Sequence, residues 1–145
     1  MSQPFKEVVF DGGSIIELLL SGEKSILFKK ILKNEIIPMT TSLAIIETEY
    51  ILCRKIGIKK AFEKVDNLIQ SNYIDIHSLD LFSRDISILK CHNPIPLPDC
   101  ATIALATKNN IPALFARKEE ELKKPIKNKA FSIEIFFLED LAIND

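Results

Sequence analysis

Short apolar segments alternate with helical segments along the whole chain, and this alternation constrains the fold more than any other feature. The first apolar segment, Glu7–Phe10, is β-branched and leads into Asp11 and two glycines, which predicts a buried strand followed by a turn. Four further short strands are predicted at 36–37, 73–76, 111–115 and 133–138. Strands that alternate with helices favour a mainly parallel sheet covered on both faces. We therefore predict a three-layer α/β/α fold forming a single domain over residues 1–145.

The segments between these strands carry helical periodicity and end signals. Apolar side chains recur at helical spacing while lysines occupy the other face, as in the segment 23–34, whose end is bracketed by Asn34 and Pro38. Ser42 is the predicted N-cap of a helix that ends at Gly57. The other predicted helical segments are 14–22, 59–72, 79–90, a small-residue helix opened by Asp99, and a charged turn at 118–124.

The composition excludes several classes of protein. With 19 basic and 20 acidic residues the net charge is −1, which excludes a uniformly basic nucleic-acid coat. Only two histidines and three cysteines are present, without a CxxC pair, so a zinc site is not expected. The four glycines form neither a P-loop nor a dinucleotide-binding fingerprint. No apolar run is long enough to span a membrane and no secretory signal is visible, so a cytoplasmic protein with reduced thiols is expected.

Three carboxylates stand at positions where an α/β domain concentrates its chemistry. Asp11 directly follows the first strand, Glu47 lies in an apolar helix, and Asp99 opens the small-residue helix. In parallel sheets the working site lies at the carboxyl ends of the strands. Carboxylates without histidine or cysteine suit the hard cations Mg²⁺ or Mn²⁺, which assist phosphoryl chemistry by activating water and offsetting charge.

Each carboxylate also has a purely structural interpretation. Asp11 and Asp99 are each positioned to cap a helix N-terminus. Glu47 shares a helix face with Tyr50 and Arg54, so it could be a partly buried partner of that arginine.

Taken in order, the motifs around these acids resemble the PIN-domain family, and within it the VapC-type toxins. The blocks that carry the resemblance are VVFDGGSIIELL, TSLAIIETEYILCRKIG and LPDCATIALATKNNIPALF. The resemblance implies a metal-dependent ribonuclease in which Asp11, Glu47 and Asp99 hold Mg²⁺ or Mn²⁺ and a metal-bound water attacks the phosphodiester. It also implies a homodimer that a cognate antitoxin protein holds inactive.

Two positions depart from the family pattern. Gly12 stands where the family usually has serine or threonine beside the metal, and Ser14 follows two residues later. Many members also carry a fourth acid, an aspartate, after the strand that corresponds to 113–115. In this chain Glu119 is the best substitute and Glu121 the second, although all three glutamates from 119 to 121 could instead form a solvated helix face with neighbouring lysines.

Two basic segments flank the acidic ones. Residues 51–64 contain five basic side chains and one acidic, and residues 108–129 contain seven and three, so each segment carries +4. Arg54, Arg117 and Lys118 are the candidates for contacts to RNA phosphates. A solvated helix face is the alternative for most of the lysines.

Three functions compete at this point. The retained acids favour a metal-dependent endoribonuclease, the toxin of a toxin–antitoxin pair. Gly12 and the missing fourth aspartate favour a catalytically weakened module that acts by binding RNA or protein. A phospho-acceptor receiver domain would need an acidic pair at the first strand, an aspartate that ends a central strand and a lysine after a late strand. Only Asp11 stands at one of these positions.

Overall fold

The computed structural model describes residues 3–141, in which five short strands form one all-parallel sheet. The strands are β1 (Glu7–Phe10), β2 (Ile37–Thr41), β3 (Asp75–His77), β4 (Ala113–Phe115) and β5 (Ile135–Phe137). Their order in the sheet is β3-β2-β1-β4-β5, and every neighbouring pair is parallel. After β1, the chain adds β2 and β3 on one side of that strand and then adds β4 and β5 on its other side. This reversal creates a switch point at the carboxyl ends of β1 and β4, where ligands bind in open α/β sheets.

Helices cover both faces of the sheet. They are α1 (Gly12–Ser21), α2 (Ile26–Leu32), α3 (Ser42–Ile56), α4 (Ile58–Ser71), α5 (Ser83–His92), α6 (Leu97–Asn109) and α7 (Glu120–Lys127). Strand β1 divides two apolar cores, because Val8 and Phe10 pack into one core with side chains of α1–α4 while Val9 packs into the other with α5–α7. The predicted three-layer α/β/α fold is confirmed. None of the helices within residues 3–141 has the length and apolarity to cross a membrane.

Strand β2 is longer than predicted and contains a proline. The sequence placed only residues 36–37 in this strand, with Pro38 ending the preceding helix, whereas α2 ends at Leu32. The Ile37 N–H donates to the carbonyl of Lys6 on the β1 side, so the missing N–H of Pro38 faces the β3 side. Pairing with β3 starts only at Met39, and the proline therefore costs the ladder no hydrogen bond.

Several helix starts also differ from the prediction, and two of them have a clear local cause. Thr41, not Ser42, caps α3, and its hydroxyl accepts a hydrogen bond of 2.9 Å from the Ala44 N–H. Helix α6 begins at Leu97, two residues before Asp99, because Pro98 fits the first helical turn, where its missing N–H is not needed. The last strand is shorter than predicted, β3 is displaced by one to two residues toward the carboxyl end, and the charged turn extends into α7.

The cap of α3 yields a test of this local assignment. Thr41→Ala should lower the free energy of unfolding by about 1 kcal/mol, because it removes the side-chain acceptor of an N-terminal amide of α3. Ser42→Ala, the matched control, should cost less than half as much. Urea unfolding followed by circular dichroism measures both values. A larger loss for Ser42→Ala than for Thr41→Ala would contradict the assignment.

Candidate active site

Asp11 is fixed where β1 passes into α1, at the switch point of the sheet. Its backbone N–H donates to the carbonyl of Leu114 on β4 at 3.0 Å. Its Oδ1 accepts a 2.8 Å hydrogen bond from the Ser14 N–H, so the predicted capping role is real. Capping and ligand binding are compatible here, because one hydrogen bond uses only part of the acceptor capacity of a carboxylate.

Glu47 reaches the same place from α3. The side chain is partly buried and its carboxylate lies against Gly12, where an added Cβ would overlap Oε1. The ion pairs found within residues 3–141 do not include a Glu47–Arg54 pair, because the Arg54 guanidinium lies 5.1 Å from the centre of the Tyr50 ring instead. Glu47 is therefore directed at the other acids and not at the arginine.

Asp99 lies in the first turn of α6 and is almost completely buried, with 7% of its surface exposed. Among the residues that the structure describes, its Oδ2 finds no hydrogen-bond partner, and the helix start has no side-chain cap. A buried carboxylate oxygen without a partner is costly unless something else satisfies it. Capping therefore does not account for the burial of Asp99.

One open cavity of about 270 Å³ brings the predicted acids together. Its lining consists of Asp11, Gly13, Ile16, Glu17, Glu47, Ile51, Lys55, Asp99, Ala116, Arg117 and Glu119. Glu119, the substitute for the fourth acid, is among these residues and Glu121 is not. Glu120 instead lies on a solvent-exposed helix face, where it forms a 2.8 Å ion pair with exposed Lys123.

Burial of these neighbouring carboxyl groups raises their pKa values. Burial is the main cause of the rise in the pKa of Asp11 to about 7, although hydrogen bonds from Ser14 partly oppose it. The pKa of Asp99 rises to about 8, first through burial and then through repulsion from other acids, with Glu119 foremost. The pKa values of Glu47 and Glu119 are also raised, in both cases mainly by burial. The cavity thus concentrates negative charge that a cation would stabilise.

The donor chemistry of the cavity fits a hydrated Mg²⁺ or Mn²⁺. The donors are carboxylate oxygens, and one of them, Oδ2 of Asp99, is buried and unpartnered among the described residues. Within residues 3–141 no three acidic, histidine or cysteine side chains are close enough together to hold an ion directly. Mg²⁺ usually binds proteins through one or two carboxylates and keeps several waters, which agrees with a cavity of this size.

The basic candidates divide into two groups. Arg117 lines the cavity, with Nη2 3.9 Å from Oε1 of Glu17. Arg54 and Lys118 are not part of the lining, and Lys118 forms a 2.8 Å ion pair with Asp140.

Lys55, which is not among the residues predicted from the sequence, also lines the cavity. The sequence placed Arg54 on the same helix face as Glu47, from which it is seven residues away. In the structure, the face of α3 that lines the cavity contains Glu47, Ile51 and Lys55. The spacing of four residues between these three positions was the sequence signal that could have identified Lys55.

The protein-family model described as PIN domain matches residues 8–125, which include the four predicted acids that line the cavity. The chain belongs to the PIN-domain family. PIN domains are typically nucleases and generally use divalent metals. A search of curated protein sequences finds no match to this PIN domain.

Solved structures show the same fold at low sequence identity. The crystal structure of PAE2754 from Pyrobaculum aerophilum superposes with a TM-score of 0.62 at 12% identity, covering 90% of this chain and 83% of that one. A toxin–antitoxin complex from Klebsiella pneumoniae gives a TM-score of 0.55 at 14% identity, covering 81% of this chain and 92% of that one. At these identities the likeness establishes the fold alone.

The raised pKa values predict how the stability of this PIN domain changes with pH. A carboxyl group whose pKa is higher in the folded state favours folding most when protonated, so the metal-free protein should lose stability as pH rises from about 4 to about 8. Asp99→Asn cannot ionise and should therefore raise the melting temperature at pH 8.5 in EDTA by roughly 5 °C or more, with little change at pH 4.5.

Thermal unfolding by circular dichroism measures this effect. Asp66→Asn, on the exposed face of α4, is the matched control and should leave the melting temperature nearly unchanged at both pH values. An Asp99→Asn effect of equal size at pH 4.5 and pH 8.5 would contradict the electrostatic explanation.

Proposed function

We propose that this PIN domain is a metal-dependent endoribonuclease and the toxin of a toxin–antitoxin pair. The observation that carries the proposal is the convergence of Asp11, Glu47, Asp99 and Glu119 on one cavity at the switch point of the sheet. The family supports nuclease chemistry, and the oxygen donors support Mg²⁺ or Mn²⁺ as the cofactor.

The acids have distinct roles in this proposal. Asp99 offers its Oδ2, unpartnered among the described residues, as a ligand, and Asp11 is held rigidly by its contacts to β4 and Ser14. Glu47 and Glu119, which line the same cavity, are positioned to accept hydrogen bonds from waters on the ion. When bound, the ion would activate a water for attack on the phosphodiester and offset charge on the leaving oxygen.

Cationic side chains at the rim supply the contacts to RNA phosphates. Lys55 and Arg117 line the same cavity as the acids, so they can bind the backbone beside a scissile phosphate. Arg54 and Lys118 lie outside the lining and would contact the strand farther from the metal, if Lys118 exchanges Asp140 for a phosphate. The two segments of charge +4 would then attract RNA while the cavity remains acidic.

The proposed protein partners are a cognate antitoxin and a second copy of the chain. The first of these is supported by the fold shared with the Klebsiella protein, whose structure is that of a toxin–antitoxin complex. A second cavity of about 280 Å³, between α1, α2 and α4, is lined mainly by apolar side chains that include Leu18, Phe28 and Leu68, with Lys64 beside them. Such a groove suits an amphipathic segment of a partner with acidic residues at its edge. Size-exclusion chromatography with light scattering of the purified chain tests the second copy. Co-purification of a small protein with the tagged chain from its native host tests the antitoxin.

A specific observation favours a second candidate function. Gly12 lacks the hydroxyl that the family usually places beside the metal, and Glu119 stands in a loop position where an aspartate is usual. Loss of groups that support a metal site typically lowers affinity or activity about 10- to 100-fold. A module with weakened catalysis that binds RNA or protein is therefore the alternative.

Substitution of Asp11 and Asp99 tests the enzymatic proposal. Asp11→Asn and Asp99→Asn should each lower Mn²⁺-dependent cleavage of a mixed-sequence RNA panel by at least about 100-fold, because each removes a charged ligand. EDTA should abolish cleavage by the wild type. Asp85→Asn, exposed on α5, is the control and should retain full activity. Metal binding without cleavage of any RNA by the wild type would favour the alternative.

Lys55 yields a separate test on the RNA side. In the Asp99→Asn background, which prevents cleavage, Lys55→Ala should weaken binding of a single-stranded RNA by roughly three- to tenfold at 50 mM salt and lower the salt slope of log K by about 0.7. Lys60→Ala, on the exposed surface of α4 outside the cavity, is the matched control. Fluorescence anisotropy over a salt series gives both quantities. Equal effects of the two substitutions on RNA binding would contradict a phosphate contact by Lys55.

A further inference from the structure

Gly12, the first residue of α1, has the Glu47 carboxylate where another residue would have its side chain. A Cβ placed on Gly12 would overlap Oε1 of Glu47 and would lie 3.0 Å from its Cδ and 3.2 Å from its Cγ. An overlap of this kind does not occur between a real Cβ and its neighbours without a shift of one of them. A side chain at position 12 and the Glu47 carboxylate in its present position therefore cannot both be accommodated.

The backbone of Gly12 does not itself require glycine. Gly22 and Gly57 are the glycines with positive φ angles in the described part of the chain, and Gly12 adopts a conformation open to other residues. At a helix start of this kind, alanine would ordinarily stabilise the fold slightly, because it restricts the unfolded chain. Glycine is therefore required at position 12 because of the neighbouring Glu47 carboxylate and not because of the backbone conformation.

The consequence of a side chain at position 12 falls on the site more than on the fold. The atom that would be displaced first is Oε1, the far end of a flexible side chain, while the helix backbones can stay in place. Glu47 is partly exposed to the cavity and can rotate away from Gly12. Such a rotation removes one of the four predicted acids from its position in the cavity and leaves the packing of α1 on α3 intact.

We propose that Gly12 is a positioning residue that holds open the space in which the Glu47 carboxylate reaches the acidic cavity. The inference rests on the proposed function, since it assumes that this cavity binds a divalent cation. A hydroxyl-bearing residue at position 12 would then weaken the site in this chain, even though it would add an oxygen, because it would expel a carboxylate. The glycine and the glutamate act as one pair.

Mn²⁺ binding by a double-mutant cycle tests the pair. Isothermal titration calorimetry with MnCl₂ should show about tenfold weaker binding for Gly12→Ala and Gly12→Ser than for the wild type. Melting temperatures in EDTA should stay within a few degrees of the wild type, which separates displacement of Glu47 from unfolding. In the Glu47→Ala background, Gly12→Ala should cause no further loss of Mn²⁺ affinity, because nothing is left to displace.

The outcomes separate this inference from the proposed function. If the wild type does not bind Mn²⁺, the metal-dependent function fails and the inference falls with it. If the wild type binds Mn²⁺ and Gly12→Ala binds it equally well, the positioning role alone is wrong. If Gly12→Ala unfolds, recovery of the fold in the double variant Gly12→Ala/Glu47→Ala supports the pair, and failure to recover overturns it.

Discussion

The burial of Asp99 and the partial burial of Asp11 are the constraint on which the other features of the site depend. Each carboxylate comes from the amino-terminal turn of a helix packed on the sheet, and both are close enough to repel each other. A buried negative charge is unfavourable unless hydrogen bonds or a cation compensate it. Asp11 obtains part of this compensation from Ser14, whereas Oδ2 of Asp99 obtains none from the residues that the structure describes. The fold therefore carries an electrostatic cost at the position where a cation would relieve it.

The order of the strands explains why this cost is concentrated at one place. Strand β1 is central, and its carboxyl end is held beside that of β4 by the hydrogen bond from Asp11 to Leu114. Ser14 strengthens the same junction from behind, since its buried hydroxyl donates to the Leu114 carbonyl at 3.1 Å. The hydroxyl of Ser14 thus secures the sheet, and it also lies close enough to Asp11 to oppose the rise in the pKa of that carboxyl group. Ala116 leaves little room for a side chain at Gly13 in this junction, because a Cβ added there would lie 2.9 Å from the Cβ of Ala116.

The sequence predicted those parts of the molecule that depend on local chemistry. Alternating apolar segments identified the layers, and acids placed after strands or at helix starts led to one cavity, although their catalytic roles remain predictions. Features that depend on tertiary geometry were missed. The choice between Arg54 and Lys55 rests on how α3 is rotated about its axis, which the spacing from Glu47 alone does not fix. Pro38 was taken as a helix terminator because its tolerance in β2 depends on where the neighbouring strand begins.

The weak contact between Arg117 and Glu17 has a consequence for how an anionic strand could approach the cavity. The two groups are 3.9 Å apart, and 77% of the arginine side chain is exposed, so the pair contributes little to stability. An incoming phosphate can replace Glu17 as the partner of the guanidinium with little energetic loss, because neither partner has to leave a buried environment. The carboxylate that is released stays at the mouth, where it would disfavour a second phosphate. Because the guanidinium is exposed, salt screens its attraction to an anion, and the occupancy of the entrance would depend on ionic strength.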